Sequence, residues 1–302
     1  MAASMPKTVS STPHSTRQQF FSFLRRNSTQ NTIKMALIYL VLGVSAFVIS
    51  IPLVWMLSTS LKDPTQVFTW PIEWLPNPVK WLNYPEALSA RPFGLWTRNS
   101  MITAGMSVIG HCLSATLVGF AFARLRWRGR DVLFLVMLSA LMLPTEVTLI
   151  PQFLIFRQLG WVNSLMPLFV PTFFGGAFNI FIMRQFMVML PKELDDAARI
   201  DGCNYFQILT RIIAPQVFPA LGFIAINTFR NRWNDFFHPL VYLNDPQLFT
   251  LALGLRSFRG EFAIEWGYLM AASLTVMLPV MIMFFFTQRY FIQGMVFTGV
   301  KG

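Results

Sequence analysis

Charge is what this sequence has little of. Only 12% of its 302 residues are charged, and only 13 are acidic, whereas an average soluble domain is about 25% charged. A surface facing water needs more charge than that and a surface facing lipid does not, which argues against a large soluble enzyme with a thick core. Cysteine is almost absent: Cys112 falls in an apolar run and Cys203 in a polar loop, so no disulfide is expected. The three histidines, His14, His111 and His238, form no zinc-spaced pair, and no HExxH motif is present. No GxxxxGK[ST] loop occurs, so this chain is not expected to hydrolyse nucleotide by that route. No Ser–His–Asp set can be assembled, and His111 reads as a packing residue inside a span. No internal repeat is visible. The chain is therefore expected to bind no cofactor or metal and to catalyse nothing.

Apolar residues make up 54% of the sequence, including 31 Phe and 17 Met. The hydrocarbon core of a bilayer takes roughly 20 apolar residues as helix. Six runs qualify: residues 35–58, 101–123, 132–153, 165–188, 216–243 and 268–291. Inside lipid every backbone amide must be satisfied within the segment, which makes these helices. The runs are continuous and do not alternate, which excludes barrel strands. The expected fold is all-α, a polytopic membrane protein of six transmembrane helices.

The net charge of +11 invites a nucleic-acid reading. The basic residues instead flank apolar runs and form no stripe with interleaved aromatics, so no nucleic acid is expected. Basic flanks set membrane orientation. Lys7, Arg17, Arg25, Arg26 and Lys34 precede the first run. Arg124, Arg126, Arg128 and Arg130 sit between the second and third. Arg184, Lys192, Arg199 and Arg211 lie around the loop after the fourth, and Arg289 and Lys301 follow the sixth. Seven basic residues lie on the other side, and Arg230 and Arg232 fall in the fifth run. Both termini are expected to be cytoplasmic.

Residues 1–34 form a tail too long and polar to be a signal peptide's basic leader. Its first 16 residues read as disordered. The stretch RQQFFSFLRR, 17–26, fits an interfacial helix with arginines toward headgroups, and it fits a solvated tail as well. Residues 61–95 face outward with Trp70, Trp74 and Trp81 among five prolines, which suggests an ordered cap rather than a plain connector. Pro144 and Pro151 in the third run, and Pro167, Pro171 and Gly175–Gly176 in the fourth, predict kinks and close helix contacts.

The loop 190–216 carries the charge that the spans lack. Pro191 suits a helix start. Glu193, Asp195 and Asp196 crowd the first turn, where the helix dipole favours acids. Asp195 and Arg199 are spaced as an i,i+4 pair. Gly202 turns the chain, and a second helix over 204–213 is expected to end before Pro215. The result is a short helix-turn-helix presenting alanines. It fits a docking surface, and it also fits an ordinary well-capped solvated loop.

The order Asp196-Ala197-Ala198, three residues, Gly202, nine residues, Ile212, one residue, Ala214-Pro215 resembles the Glu-Ala-Ala motif of ABC importer permeases. Asp196 replaces Glu and keeps the charge; Ala214 replaces Leu and trims an apolar contact. Met142-Leu143-Pro144 through Pro151, and Trp233-Asn234-Asp235-Phe236 with Pro239-Leu240, are similar to the carbohydrate-uptake subclass. So is the ending, with Gln288-Arg289-Tyr290-Phe291, Gly294 and Gly299 to Gly302. The resemblance covers residues 35–302. It implies the shorter, maltose-type permease of a binding-protein-dependent importer in the bacterial inner membrane. It implies a cytoplasmic coupling helix between helices 4 and 5, with Glu193, Asp196, Ala197, Ala198, Arg199, Asp201, Gly202 and Pro215 meeting an ATPase. The partners implied are a second permease, cytoplasmic ATPase subunits holding ATP and Mg, an extracytoplasmic solute-binding protein and membrane lipid.

Polar groups inside spans are costly and point to function. Glu146, Asn179, Arg230, Arg232, Trp233, Asn234 and Asp235 are the expected substrate path, with Trp233 and Asn234 offering an aromatic face and an amide to a sugar. Asn227 lies among them. The bland alternative is helix–helix pairing, such as Arg232 with Asp235 or Glu146. Arginines on the path would favour a glycerol phosphate or sugar phosphate. A secondary transporter driven by an ion gradient is the rival class, and it would not need the Ala-Ala-x3-Gly loop.

Overall fold

The computed structural model describes the backbone of residues 15–260 and 264–299, and the side chains of 32–260 and 264–287. The expectations for residues 1–14 and for the final three residues lie outside the described residues, as do the side chains of the 17–26 stretch and of the C-terminal motif.

The described residues are helical throughout, apart from turns and one isolated bridge between Arg259 and Ile264. The chain divides into two units, Met1–Met56 and Leu57–Gly302. The described part of the first unit is a single helix, α1 (Ser15–Ser60), whose last turn belongs to the second unit. From Ser15, the first described residue, it has no break before residue 35. Residues 32–50 are exposed on every side of it, and they are almost all apolar. A helix apolar all round has its face in lipid or in a partner.

The second unit begins with an ordered cap, as the Trp and Pro content of 61–95 suggests. The Ser58 hydroxyl donates to the Trp74 carbonyl, and the Lys80 N–H donates to Leu61 at 2.8 Å. Buried Asn83, at the start of α2 (Asn83–Ser89), donates to the Ser60 and Lys62 carbonyls at 2.9 and 2.8 Å. The Thr65 N–H and hydroxyl, with the Lys80 ammonium, hold the Asp63 carboxyl below the usual carboxylate range.

Next comes α3 (Phe93–Arg124), the central helix of this unit. It packs against two later helices, α7 (Ala177–Met189) and α11 (Phe218–Trp233). The contact works because the middle of α3's buried face is small: Ala104, Ser107, Gly110, Ser114, Ala115 and Gly119. Small residues let helix backbones approach closely in membranes. At Gly110 a Cβ would collide with the Thr172 hydroxyl and the Phe173 ring.

Among the described residues, four helical stretches are long and apolar enough to cross a membrane: Thr32–Ser60, Phe93–Arg124, Met166–Met189 and Trp266–Thr287. The other two expected spans are broken. The pieces α4 (Arg130–Ser139) and α5 (Thr145–Gln158) belong to stretches that meet at 102°. The corner is Leu143, extended at φ −80°, ψ 120°, as the ring of the following Pro144 requires. The fourth span is interrupted too. A short helix α6 (Met166–Phe169) and a 3₁₀ segment Val170–Phe174 stop at Gly175–Gly176, and α7 (Ala177–Met189) follows.

Beyond it come α8 (Glu193–Ile200), α9 (Tyr205–Gln207), a π-helical turn Ile208–Ile213 and α10 (Ala214–Gln216). Pro215 therefore does not end the second helix of the loop. The wide π turn before it accommodates the ring, and the bend falls at Val217, 77° between the flanking stretches. The fifth run also stops short of residue 243. α11 (Phe218–Trp233) ends at Trp233, and α12 (Phe237–Tyr242) is separate. The last elements are α13 (Leu251–Gly254) and α14 (Trp266–Gly299), the latter packed on α2 and α11.

Candidate functional site

Two places gather the polar residues that the spans otherwise lack. The first is α8. Its acids fill the first turn as the dipole favours. Asp195 turns inward rather than along the helix: its Oδ2 lies 3.6 Å from Arg124 Nε, with the two side chains 10% and 3% exposed. An Arg124 Nη2 also donates to the Leu190 carbonyl at 3.0 Å. The expected Asp195–Arg199 pair is thus replaced by a link from α8 to the end of α3. Arg199 instead lies over the Tyr205 ring, 5.1 Å from its centroid.

The end of α8 explains the spacing of its motif. Gly202 sits at φ +80°, where a side chain is strained. Its N–H donates to Arg199 and that of Cys203 to Ala198, at 3.0 and 2.9 Å. This is the Schellman arrangement, and it requires the left-handed residue four positions after Ala198. Ala198 itself is 3% exposed, packed in a cluster with Met187, Ile208 and Ile213. Only Ala197 of the alanine pair faces outward, beside exposed Glu193, Asp196, Asp201 and Ile200. Pro215 is exposed as well. The Asn204–Gln207 capping box starts the next helix. Arg124, Ile208 and Ile213, which mount α8, carry no local sequence signal of that role.

The second place is a pair of cavities of about 290 and 270 Å³, both lined by His111 and Arg232. Asn179, Asn227, Thr228 and Asn231 also line the first, and Thr148, Gln152 and His238 the second. His111 Nδ1 lies 3.2 Å from the Thr228 hydroxyl. It is satisfied, as a packing residue would be, yet it borders both cavities. Arg232 is tied to Asp235 at 3.1 Å, and both Asp235 oxygens reach His238 Nδ1, at 3.0 and 2.9 Å.

Of the expected path residues, Asn179 and Arg232 line these cavities, with Asn227, while Asp235 holds Arg232 from behind. Arg230 is exposed and donates to Asn227 and Asn231 at 3.4 and 3.2 Å. Asn234 caps α11 through the Arg230 carbonyl at 2.9 Å. Glu146 is an exposed first-turn acid of α5 outside both linings. Trp233 is a correction. It is 2% exposed, stacked on Phe229 with centroids 5.3 Å apart, and its indole N–H donates to the Val276 carbonyl of α14 at 3.0 Å. It joins two helices and offers no face to a solute.

Comparison with known proteins gives one consistent picture. Residues 115–296 match the family described as binding-protein-dependent transport system inner membrane component. The arabinooligosaccharides transport system permease protein AraQ of Halalkalibacterium halodurans is 37% identical over 207 residues, covering 68% of this chain and 74% of the relative. The diacetylchitobiose uptake system permease protein DasC of Streptomyces coelicolor is 32% identical over 255 residues, 83% of this chain and 91% of its own. The sulfoquinovosyl glycerol transport system permease protein SmoH of Agrobacterium fabrum is 31% identical over 252 residues, 83% and 88%. In fold the chain is similar to a bacterial ABC transporter involved in the import of the acidic polysaccharide alginate. The TM-score is 0.76 at 22% identity, over 93% of this chain and all of that one.

Proposed function

The chain belongs to the family of binding-protein-dependent transport system inner membrane components, and from that membership we propose that it is the permease subunit of an ATP-driven sugar importer. It forms half of the translocation path beside a second permease. Six spans cross the bacterial inner membrane, with each bent pair counted as one, and both termini are cytoplasmic. The clustering of Arg and Lys at the tail, at the α3–α4 turn and around α8 supports that orientation. ATP and Mg are held by partner ATPase subunits, and a solute-binding protein delivers the solute on the outer side.

The observation that carries this reading is the way α8 is mounted. Its outer stripe of Glu193, Asp196, Ala197 and Ile200 is exposed, with Ile200 87% exposed. Its inner side is fixed to α3 by Asp195–Arg124, and buried Ala198 packs it into the cluster that holds Met187, Ile208 and Ile213. A partner that grips the stripe moves α3 with it. His111 lies on α3, and the small face of α3 bears α7 and α11, which carry Asn179, Asn227 and Arg232. Movement at α8 thus reaches the cavity lining through continuous packing. An ATPase can shift the balance between inward- and outward-facing states only through contacts that differ between them. The stripe, with Asp201 at its end, supplies those contacts.

The amides of Asn179, Asn227 and Asn231 suit the hydroxyls of a sugar. Arg232 on both cavities gives a second reading, a sugar phosphate or glycerol phosphate. Its charge is already met by Asp235, which favours an uncharged oligosaccharide. The test is ATPase activity of the chain co-purified with its partner subunits and binding protein, read against neutral oligosaccharides, sugar phosphates and glycerol phosphate. Stimulation by a neutral oligosaccharide is expected. Stimulation only by the phosphates moves the reading to the second class. Uptake driven by an ion gradient without any ATPase overturns it.

A further inference from the structure

A third cavity, of about 330 Å³, lies beside α8 and shares no lining residue with the other two. Five cations line it: Arg124 at the end of α3, Arg126 in the turn, Arg130 at the start of α4, Lys192 before α8 and Arg199 upon it. Two carboxylates face them, Asp195 and Asp196, which leaves three positive charges in excess. Asp195 is already taken by Arg124, and Arg130 reaches Asp131 outside the lining at 2.9 Å. Among the described residues Arg126 and Lys192 have no ion-pair partner.

The chain around this basic cavity's Arg126 and Arg130 also carries exposed apolar residues. Directly after Arg130 and Asp131, α4 exposes Val132, Leu133, Leu135 and Val136, and Trp127 is exposed in the turn before it. A ligand that fits has an anionic head and an apolar body. Arginine forks suit phosphate oxygens, and basic pockets between membrane helices take anionic lipid headgroups. We propose that this cavity binds the phosphate headgroup of an anionic phospholipid, with its acyl chains along the exposed face of α4. Free phosphate offers the same oxygens but makes no use of that face. A bound lipid bridges the α3–α4 turn to α8, so membrane charge bears on the helix proposed to receive the ATPase. The leaflet rests on the orientation proposed above. Lipid retention is read without reference to it or to transport, so the two readings fail separately.

The experiment is native mass spectrometry of the assembled complex, purified in detergent with equal phosphatidylglycerol and phosphatidylcholine. Arg126→Gln with Lys192→Gln is compared with wild type and with Arg211→Gln. Arg126, Lys192 and Arg211 are all exposed, and only Arg211 lies outside the cavity. Wild type should retain phosphatidylglycerol in preference. The double variant should lose roughly fivefold in retention for each charge removed, about 25-fold in all, and Arg211→Gln should behave as wild type. Retention unchanged in the double variant overturns the proposal. Equal loss in Arg211→Gln overturns it too, since that is diffuse attraction to the basic face. Displacement by inorganic phosphate at concentrations equal to the lipid's reduces the cavity to a small-anion site. Retention only when the ATPase is absent makes it a contact for that partner's acidic side chains.

Discussion

Asp195 and Arg199 are one helical turn apart, and helical spacing alone would pair them. The structure gives Asp195 to Arg124, which is remote in sequence and brought near only by packing of α3 against the loop. The two assignments make different energetic predictions. Asp195→Asn keeps the shape and leaves the Arg124 guanidinium buried without its counter-charge. Removing one member of a buried pair costs about 3–5 kcal/mol, and the Leu190 carbonyl that Arg124 keeps puts the cost at the low end. Arg199→Gln, at an exposed site, should cost about 0–1 kcal/mol. Thermal unfolding of the purified complex separates them. Equal shifts in Tm would remove Arg124 from its assigned role.

At the scale of elements, the apolar runs and the Gly202 turn are legible in the sequence because each depends on neighbours along the chain. A run of twenty apolar residues needs no partner to be read, and neither does Ala198 four positions before a glycine. The corners at Leu143 and Val217 are half legible: Pro144 and Pro215 flag a disturbance, but the 102° and 77° bends depend on what the pieces pack against. The cavity is legible only in part: Asn179 and Arg232 stand out as polar residues inside spans, but their meeting with His111, on a third helix, is not written in any local pattern. Trp233 illustrates the loss: a tryptophan beside an asparagine looks like a sugar platform until α14 is placed against it. Trp233→Phe should lower thermal stability while leaving the solute concentration for half-maximal ATPase stimulation within about twofold, because the ring only packs; Trp233→Ala should cost about 3–5 kcal/mol. A changed solute dependence in Trp233→Phe would restore the platform. The close approach of α3 makes a second test. Gly110→Leu has nowhere to put its side chain beside Thr172 and Phe173. Overpacking typically costs about 1–3 kcal/mol, occasionally more, so folded protein recovered in detergent should fall sharply. Gly105→Leu, with open space around it, should be tolerated.

Across the whole molecule, the question is whether α8 is a passive ledge or a lever. A ledge would tolerate bulk on its outer face. A lever has to fit a partner outside and stay fixed to α3 inside, and the two alanines divide those tasks. Ala198 is buried in the chain's own cluster, so Ala198→Leu should overpack it and lower the stability of the permease by about 1–3 kcal/mol, with or without an ATPase present. Ala197 is exposed, so Ala197→Trp should leave the stability of the isolated permease within about 0.5 kcal/mol, as is usual for surface changes. In the assembled importer Ala197→Trp should behave differently. The ATPase should retain its basal rate, while solute-stimulated hydrolysis and uptake into vesicles should both fall, because the grip on α8 is lost while each subunit remains folded. Wild-type uptake in that variant would mean that the energy for transport enters elsewhere.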